Sequence, residues 1–572
     1  MKAEIRGFLR DRGIFGSTGV PATIAGVSFS HVFGAVLVFL LLLVAATGVA
    51  LAAFYAPTST DAWGSVAYLQ DQMTLGWFVR GVHAHGASAM VVVLGLHLVQ
   101  TAVHGAYRKP REVVWWLGIV LMILILGWAV TGYVLRWDQA GFWANKVEVG
   151  IAAATPIVGD WIRRIVLGGN DYGNLTLTRF YALHVLVLPI IAGGVAWTHG
   201  ALSRKLGVTP LGDRERTPRP RWPEQTLRSA IAIAIVFAAL IAYVVSAHGV
   251  GLAAPADPSL PYDARPLWYF RWLFELRDLS GGAEKIVAMI VPAVVIGGLA
   301  ALPLLDRGKS REPRKRLPYL GGLAALFGAI AALTVASFAA DASDDQLAKR
   351  SARAEQRAAL ARKLARDNGV PASGAADVFW TSPMARARSL FAAKCKSCHD
   401  AESKDRKGPV IAPGHGDRSW IRGFLRDPSG DEFWGRTKLA KSEAAMRPFS
   451  QMPAADFDGI VELIYSESGA RDVDPAKRTR GLEMFENACN DCHSLEDGMP
   501  GASAPGLGGL GNRAYYLSFL SNPKSALHMG RDKSQMPRFD RELSLADRDA
   551  LAEYLVWLRT ATPTDLAGLD PY

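Results

Sequence analysis

The chain has 572 residues, half of them hydrophobic, and a formal net charge of +11. A mean hydropathy of only +0.14 alongside this hydrophobic content indicates a membrane protein with a large soluble part. The basic residues are concentrated in loops on one side of the apolar segments, which assigns the charge to membrane topology and argues against binding of nucleic acid.

Seven apolar segments in the first 340 residues are long enough to cross a hydrocarbon core of roughly 30 Å as helices. They are 29–54, 80–103, 113–135, 180–201, 229–248, 284–305 and 317–339. Loops on the N-terminal side carry twenty basic residues, and the opposite loops carry eight. We therefore expect a multi-pass protein of the bacterial inner membrane with its N-terminus in the cytoplasm and its C-terminus outside. Residues 1–28 are basic and interrupted by Gly and Pro, which favours a surface segment over a cleaved signal peptide.

Four histidines in the second and fourth spans have the spacing of haem ligands. His83 and His97 are 14 residues apart, and His184 and His199 are 15 apart. Each separation is about four helical turns, so the members of a pair lie on nearly one face, roughly 21 Å apart. Two helices of this kind can hold two non-covalent haems, one near each membrane surface. For any single histidine, a hydrogen bond to a neighbouring helix is the alternative.

Glycines in the first and third spans repeat this spacing. Gly34 and Gly48 are 14 residues apart, as are Gly118 and Gly132. A flat macrocycle between helices needs places where no side chain intrudes, so we expect these glycines to line the haems. Arg80, at the outer end of the second span, either pairs with a haem propionate or is an ordinary interfacial arginine.

Over about residues 5–340 the chain resembles the cytochrome b subunit of the Rieske/cytochrome b (bc-type) quinol oxidoreductases. Besides the four histidines, the resemblance is carried by Arg80 to His97, Lys109-Pro110-Arg111-Glu112, Thr131 to Gln139 and Leu177 to His184. The 15-residue histidine spacing is similar to that of the chloroplast-type branch. There the first four helices and the last three are separate chains, whereas here segment 203–228 joins them.

This resemblance implies two haem b groups, the outer one held by His83 with His184 and the inner one by His97 with His199. It also implies a separate Rieske iron–sulfur protein, a quinone pool as substrate and a homodimeric complex in a lipid membrane. Thioether attachment of an extra haem in the membrane domain is excluded, because all four cysteines lie elsewhere.

The family's quinol oxidation motif, Pro-Glu-Trp-Tyr, corresponds here to Pro266, Leu267, Trp268 and Tyr269. Pro266, Trp268 and Tyr269 are therefore the candidate residues of a quinol oxidation site. Leucine cannot accept a proton, so either a nearby carboxylate does so or quinol oxidation is altered. The carboxylates considered for this role are Asp257, Asp263 and Glu275.

Two Cys-x-x-Cys-His pentads follow a charged, exposed helical connector at 341–378. Cys395 and Cys398 precede His399, and Cys489 and Cys492 precede His493. The cysteines of such a motif bind a haem covalently, and the histidine ligates its iron. A zinc or redox site is the alternative for a lone pentad. Because thioether attachment takes place outside the cytoplasm, the pentads agree with the predicted topology.

Each pentad is followed by a candidate methionine ligand. In the second unit this is Met536. In the first unit Met446 and Met452 compete, and the distance to the closing helix favours Met446. Ligation by histidine and methionine would give a relatively high reduction potential. The alternative ligands are His415 and His528.

The predicted fold is all-α. A four-helix dihaem core at 29–205 and a three-helix region at 206–340 form a seven-helix transmembrane bundle. Two tandem cytochrome-c-like domains follow at 379–470 and 471–572. We expect a quinol:cytochrome c oxidoreductase subunit with two haem b and two haem c, which translocates protons and passes electrons to cytochrome c or another periplasmic acceptor. The alternative is a non-bifurcating conduit between the quinone pool and the c haems.

Overall fold

The computed structural model describes residues 7, 11–14, 23–155, 157–213, 217–442, 445–530 and 533–569. Within these residues the fold is helical, apart from one two-stranded antiparallel pair, β1 (Thr23–Ile24) and β2 (Arg219–Pro220). The predicted all-α class is confirmed. Most of the predicted surface segment 1–28 lies outside the described residues.

The first compact unit ends at Arg366 and also includes Val370–Ala376. Its helices are α1 (Phe33–Ala52), α2 (Ala62–Asp71), α3 (Gly76–Val103), α4 (Glu112–Val134), α5 (Gln139–Ala153), α6 (Gly159–Leu167), α7 (Asn174–Ala182), α8 (Leu188–Lys205), α9 (Glu224–Ser246), α10 (Arg271–Leu279), α11 (Glu284–Leu305), α12 (Leu317–Ser343) and α13 (Asp345–Asn368). A π-helical turn, Leu183–Val187, joins α7 to α8.

Seven helical segments of the described chain are long and apolar enough to cross a membrane, as predicted. They are α1, α3, α4, α7 with α8, α9, α11 and α12. At most 28% of the most apolar window of each segment is buried within the protein. The remaining apolar surface needs a lipid environment, so the chain is a multi-pass membrane protein.

A buried ion pair joins the last three spans to the earlier ones at the N-terminal side. Arg316, only 1% exposed, donates from Nε to Asp306 at 2.8 Å and from Nη2 to the carbonyl of Ala102 at 2.7 Å. The Tyr107 hydroxyl also donates to Asp306, at 2.6 Å. Arg316 and Asp306 compensate each other's charge in a buried place. Removing either side chain would therefore leave the other as an uncompensated buried charge.

Helix α13 forms most of the predicted connector. The sequence predicts an exposed connector, but the connector is not exposed on all sides, because small side chains and leucines on one side of α13 are buried. These residues are Leu347, Ala358, Ala361, Leu364 and Ala365. Arg350 of α13 also pairs with Asp263 at 2.6 Å, which fastens the helix to the loop that follows α9.

The second compact unit contains the pentads and comprises Asp367–Gly369 and the residues from Asp377 onward. Its helices are α14 (Pro383–Lys394), α15 (Lys396–His399), α16 (Arg418–Arg426), α17 (Ala454–Glu467), α18 (Pro475–Ala488), α19 (Arg513–Ser521), α20 (Leu545–Leu558) and α21 (Pro563–Leu569).

The helix that precedes each pentad packs against the closing helix of the other linear repeat. Helix α14, which leads into the first pentad, packs against α20 at the end of the chain. Arg386 pairs with Asp547 at 2.6 Å, and the rings of Phe391 and Tyr554 lie 5.6 Å apart.

Helix α18, which leads into the second pentad, packs against α17. The two helices cross at Gly459 and Gly481, where a Cβ on Gly481 would lie 2.2 Å from the carbonyl oxygen of Gly459. Only glycine at position 481 permits so close a crossing.

The structure therefore does not divide the second unit at residue 470, as the linear repeats predict. One module, which we call the split module, combines 383–413 with 513–569. The other, the contiguous module, consists of 418–512. In each, the loop after the pentad meets the end of the helix that closes the module: Gly414 N–H donates to Leu558 O at 2.8 Å, and Gly509 N–H donates to Glu467 Oε2 at 3.0 Å.

Candidate haem and quinol sites

His83 and His184 face each other between α3 and the start of the fourth span. Their ring centres are 6.2 Å apart, close to the separation of two imidazoles that each bind one metal at roughly 2 Å. His83 Nδ1 donates to Val44 O at 3.0 Å. His184 Nδ1 is 3.2 Å from Trp128 O and 3.0 Å from Thr131 Oγ1. These bonds fix the tautomer and leave each Nε2 available as a ligand, so the pair fits a bis-histidine haem.

His97 and His199 form the second pair, further along the same helices. They lie within electrostatic range of each other and of Arg111. His199 Nδ1 donates to Val114 O at 2.9 Å, the same type of bond as in the first pair. His97 lies on α3 and His199 on α8, as the sequence predicts. This second pair therefore also fits a haem.

Three of the four predicted glycines lie against these imidazole rings. An added Cβ would lie 3.0 Å from His83 Cε1 at Gly48, 3.3 Å from His199 Cε1 at Gly118 and 2.5 Å from His184 Cε1 at Gly132. At Gly34 it would meet nothing within 4 Å. In the structure these three glycines make room for the ligating rings, whereas the spacing alone suggested room for the macrocycle.

Arg80 is buried and bound to protein acceptors. Nη1 donates to Gln70 Oε1 and to Val250 O, each at 2.6 Å, and Nη2 donates to Gly251 O at 3.0 Å. A guanidinium has five N–H donors, so two remain for a haem propionate. Arg80 therefore ties α3 to the loop after α9, and its contact with a propionate stays a prediction.

The quinol motif forms a turn that leads into α10. Leu267 precedes the 3-10 turn Trp268–Phe270. Trp268 is 43% exposed, and its ring contacts that of Tyr269 at 5.4 Å. Burial raises the pKa of the Tyr269 hydroxyl, and the charge of Glu148 raises it further. Sequence reasoning overlooked Glu148, an acidic residue on the short helix α5.

Two of the carboxylates proposed as replacements for the motif's glutamate are paired with arginines of α13. Asp263 lies 2.6 Å from Arg350, and Asp257 lies 3.7 Å from Arg357. The third, Glu275, lies on α10 and is half-buried.

A cavity of about 1040 Å³ opens among the loops on the N-terminal side of the spans. Its charged lining residues are Arg12, Arg108, Lys109, Glu112, Asp213, Asp306, Arg307, Lys309 and Arg311. Six of these nine residues are basic, so the cavity favours a ligand with electronegative oxygen atoms.

The first pentad belongs to the split module. Cys395 shares a hydrophobic cluster with Met536, Leu520 and Tyr554. His399 Nδ1 donates to Pro409 O at 2.8 Å, which leaves Nε2 free for iron. Pairing Met536 with the second pentad, as the order of the motifs suggests, is therefore wrong. The reason is that α14 packs on α20 and brings the first pentad to the methionine loop that precedes α20.

The second pentad belongs to the contiguous module. Cys489 clusters with both Met446 and Met452, and His493 Nδ1 donates to Pro505 O at 2.8 Å. These methionines were assigned to the first pentad, and that assignment is wrong for the same reason. Burial raises the pKa of Cys489 to about 11.

Equivalent backbone bonds distinguish the two methionines. Phe449 N–H donates to Leu425 O at 2.9 Å, and Phe539 N–H donates to Leu520 O at 3.1 Å. Because Met446 and Met536 each stand three residues before these phenylalanines, they occupy matching positions. This match supports Met446, although Met452 lines a small cavity beside Cys489.

The alternative histidines have other contacts. His528 Nε2 lies 3.0 Å from Ser518 Oγ, and its ring packs on Tyr515. His415 packs against Trp420, with ring centres 4.8 Å apart. Burial lowers the pKa of both histidines to about 4.

Comparison with known proteins agrees with the resemblance in the membrane part. The family model "Cytochrome b/b6/petB" matches residues 20–207, and "Cytochrome b(C-terminal)/b6/petD" matches 255–351. The model "Cytochrome C oxidase, cbb3-type, subunit III" matches 476–555, which contains the second pentad and Met536.

Cytochrome b6 of Prochlorococcus marinus (strain MIT 9303) is 39% identical over 183 residues, 32% of this chain and 84% of that protein. Cytochrome b6 of Rippkaea orientalis (strain PCC 8801 / RF-1) is 38% identical, over 32% of this chain and 82% of that protein. Among solved structures, a chain of "Hyperthermophilic respiratory Complex III" matches with a TM-score of 0.50 and 25% identity, covering 59% of this chain and 91% of that one. The chain therefore belongs to the cytochrome b/b6 family and carries a cytochrome c domain at its C-terminus.

Proposed function

We propose that this chain is the core cytochrome b/c subunit of a bc-type quinol:cytochrome c oxidoreductase in a bacterial inner membrane. The observation that carries the proposal is the pair of facing histidine sites on α3 and the fourth span, in one chain with two pentad modules. Such an arrangement suits transfer of electrons both across a membrane and to a carrier outside it.

The chain would hold four haems. His83 with His184 and His97 with His199 would ligate two haem b, His399 with Met536 one haem c, and His493 with Met446 the other. The cysteines Cys395, Cys398, Cys489 and Cys492 would form the thioethers. Bound haem supplies reversible one-electron oxidation and reduction at iron. The protein fixes the tautomers of five of the six proposed histidine ligands through the Nδ1 bonds described above, which leaves their Nε2 atoms available to iron.

Quinol would bind at the turn of Pro266, Trp268 and Tyr269 on the outer side. The exposed indole of Trp268 and the half-buried ring of Tyr269 supply aromatic surfaces for a quinol ring. On the cytoplasmic side, the basic cavity lined by Arg108 and Lys109 is the proposed place of quinone reduction, since its N–H donors match quinone carbonyls.

The chain has no cysteines left to ligate an iron–sulfur cluster, so the proposed complex needs a partner that carries one. A Rieske cluster needs two cysteine and two histidine ligands, and all four cysteines of the chain belong to the pentads. The iron–sulfur partner would thus be a separate protein in a homodimeric complex. The final acceptor would be cytochrome c or another periplasmic carrier, with proton translocation coupled to quinol oxidation.

Leu267 supports a second candidate function, a conduit that exchanges electrons between the quinone pool and the c haems without bifurcation. A leucine in the place of the motif's glutamate removes the usual proton acceptor. In a conduit, both electrons of the quinol would follow a single route.

A pulse of oxidant distinguishes the two functions. Membranes are poised with quinol, the inner quinone site is blocked, and the absorption of the b haems is followed after oxidant is added. In a bifurcating complex, removal of one electron along the c route forces the other into the b haems, so we expect a transient rise in reduced haem b. A conduit shows no rise, and its b and c haems become oxidised together.

A further inference from the structure

Glu148 is a partly buried carboxylate without a cation partner among the described residues. It lies on α5, whose first turn is capped by Asp138 through a 2.8 Å bond from Gly141 N–H. Among the described residues its carboxylate accepts one hydrogen bond, a long one of 3.4 Å from Asn145 Nδ2. The adjacent cation, Lys146, is exposed and packs over the ring of Trp143 at 4.4 Å.

The surroundings of Glu148 connect it to the quinol motif. Its charge acts on the hydroxyls of Tyr172 and Tyr269 and raises the pKa of both, so both hydroxyls lie within electrostatic range of Glu148. The buried Tyr172 hydroxyl and the buried Asn145 Oδ1 have no hydrogen-bond partner in the described structure. Two unsatisfied polar atoms beside an unpaired carboxylate indicate a place that binds a polar molecule.

Glu148 has a raised pKa because it is partly buried and no neighbouring cation among the described residues lowers that pKa. Burial raises its pKa to about 7, and the bond from Asn145 opposes this only in part. The titratable side chains on which the charge of Glu148 acts are those of Tyr133, Tyr172 and Tyr269, whose phenols are neutral near pH 7. On the elements packed against α5 the ionisable residues near Glu148 are Tyr133, Asp160 with its partners Arg163 and Arg164, and the exposed Glu284 and Lys285. Tyr172 and Tyr269 lie within electrostatic range of Glu148 from two loops.

We propose that Glu148 accepts a proton from quinol at the outer site, in place of the carboxylate that Leu267 removes from the motif. This inference rests on the proposed function. In the step, a quinol O–H bond breaks and an O–H bond forms on the Glu148 carboxylate. One electron leaves to the iron–sulfur partner and the second to the b-haem route, and the second proton goes to water on the outer side.

The test uses the purified complex and Glu148→Gln, which keeps the size and removes the basicity of the side chain. A general base contributes roughly 10²-fold or more to a rate, so we expect turnover to fall by about that factor. Haem content, haem spectra and binding of a quinone-analogue inhibitor remain unchanged. Asp278→Asn, at an exposed carboxylate of α10, is the matched control and retains turnover.

The pH profile gives a readout that a structural role would not produce. A carboxyl with a pKa raised to about 7 is protonated below that pH and can no longer accept a proton. Wild-type turnover therefore falls as the pH drops through about 7, and this decline is absent in Glu148→Gln. Introducing Leu267→Glu into Glu148→Gln restores turnover and moves the acidic decline to a lower pH.

Failure of this inference is distinct from failure of the proposed function. If wild-type protein shows the oxidant-induced rise in haem b reduction and Glu148→Gln matches its rate and pH profile, Glu148 is not the acceptor. A loss of turnover in Glu275→Gln alone likewise assigns the proton to Glu275. If the wild type lacks the rise, the bifurcating function itself is refuted.

Discussion

Glycine at position 132 is required by the imidazole of His184. A Cβ there would overlap His184 Cε1, and the ring has little freedom to move because its Nδ1 is held near Trp128 O and Thr131 Oγ1. Gly48 and Gly118 stand in the same relation to two other ligands. Glycine in these spans therefore acts through the ligand and not only through the space between helices.

This contact predicts a selective defect. Gly132→Ala should tilt the His184 ring and lower the occupancy or shift the potential of the outer haem b, while the inner haem b is unaffected. Gly127→Ala is the control, since it lies on the same helix and its added Cβ meets nothing within 4 Å. Potentiometric titration of both b haems measures the effect. Identical titrations for the two variants would show that the ring tolerates the methyl group.

At the scale of helices, the exchange between α14 and α18 assigns each methionine to the pentad of the other linear repeat. The two linear repeats each contain a pentad, a methionine and a closing helix, so motif order is compatible with either pairing. Both chain segments that leave a pentad loop contain glycines with positive φ, namely Gly414, Gly416, Gly509 and Gly511. The positive φ values of these glycines turn the chain from one module into the other. The spacing of the motifs carries no information about this turn.

Reduction potentials test this assignment. The paired variants Cys395→Ala/Cys398→Ala and Cys489→Ala/Cys492→Ala first identify which c-haem potential belongs to which pentad. Loss of a thioether ligand lowers a haem potential, and axial ligands span a range of roughly 0.8 V. We therefore expect Met536→Ala to lower the potential of the haem on the first pentad and to leave the other within error.

Met446→Ala should have the reciprocal effect on the haem of the second pentad. Met452→Ala is the control, because its backbone position matches Glu542 and not Met536. A tandem arrangement would give the opposite result, with Met536→Ala changing the haem of the second pentad.

The sequence predicts the elements of the membrane part better than their surroundings. The predicted spans agree with the observed helices to within several residues, because a run of about 20 apolar residues is typical of a transmembrane helix. The four histidines were identified because ionisable residues are rare within such helices. Helices α5 and α6 were not predicted, since short amphipathic segments between spans resemble loops. Glu148 was missed for the same reason, because only the fold brings it within electrostatic range of Tyr269.

For the whole molecule, the four proposed haem sites predict a fixed stoichiometry. Purified protein should contain two non-covalent and two covalent haems per chain, because two histidine pairs and two pentads are present. Pyridine haemochrome spectra should show b and c forms in equal amounts, and acid–acetone should extract only the b half. One haem b for every two haem c would refute the assignment of all four membrane histidines.

The split module also constrains the order in which the protein matures. In an outward-facing second unit translocated in chain order, Cys395 and Cys398 would emerge long before α19 and α20, which complete their module. The contiguous module, by contrast, has all its parts outside once residue 512 has passed. The second pentad would thus be enclosed first, and the first pentad would stay accessible to the haem-attachment machinery until the final helices arrive. Truncation near the C-terminus would consequently remove part of the module around the first pentad and impair haem binding there.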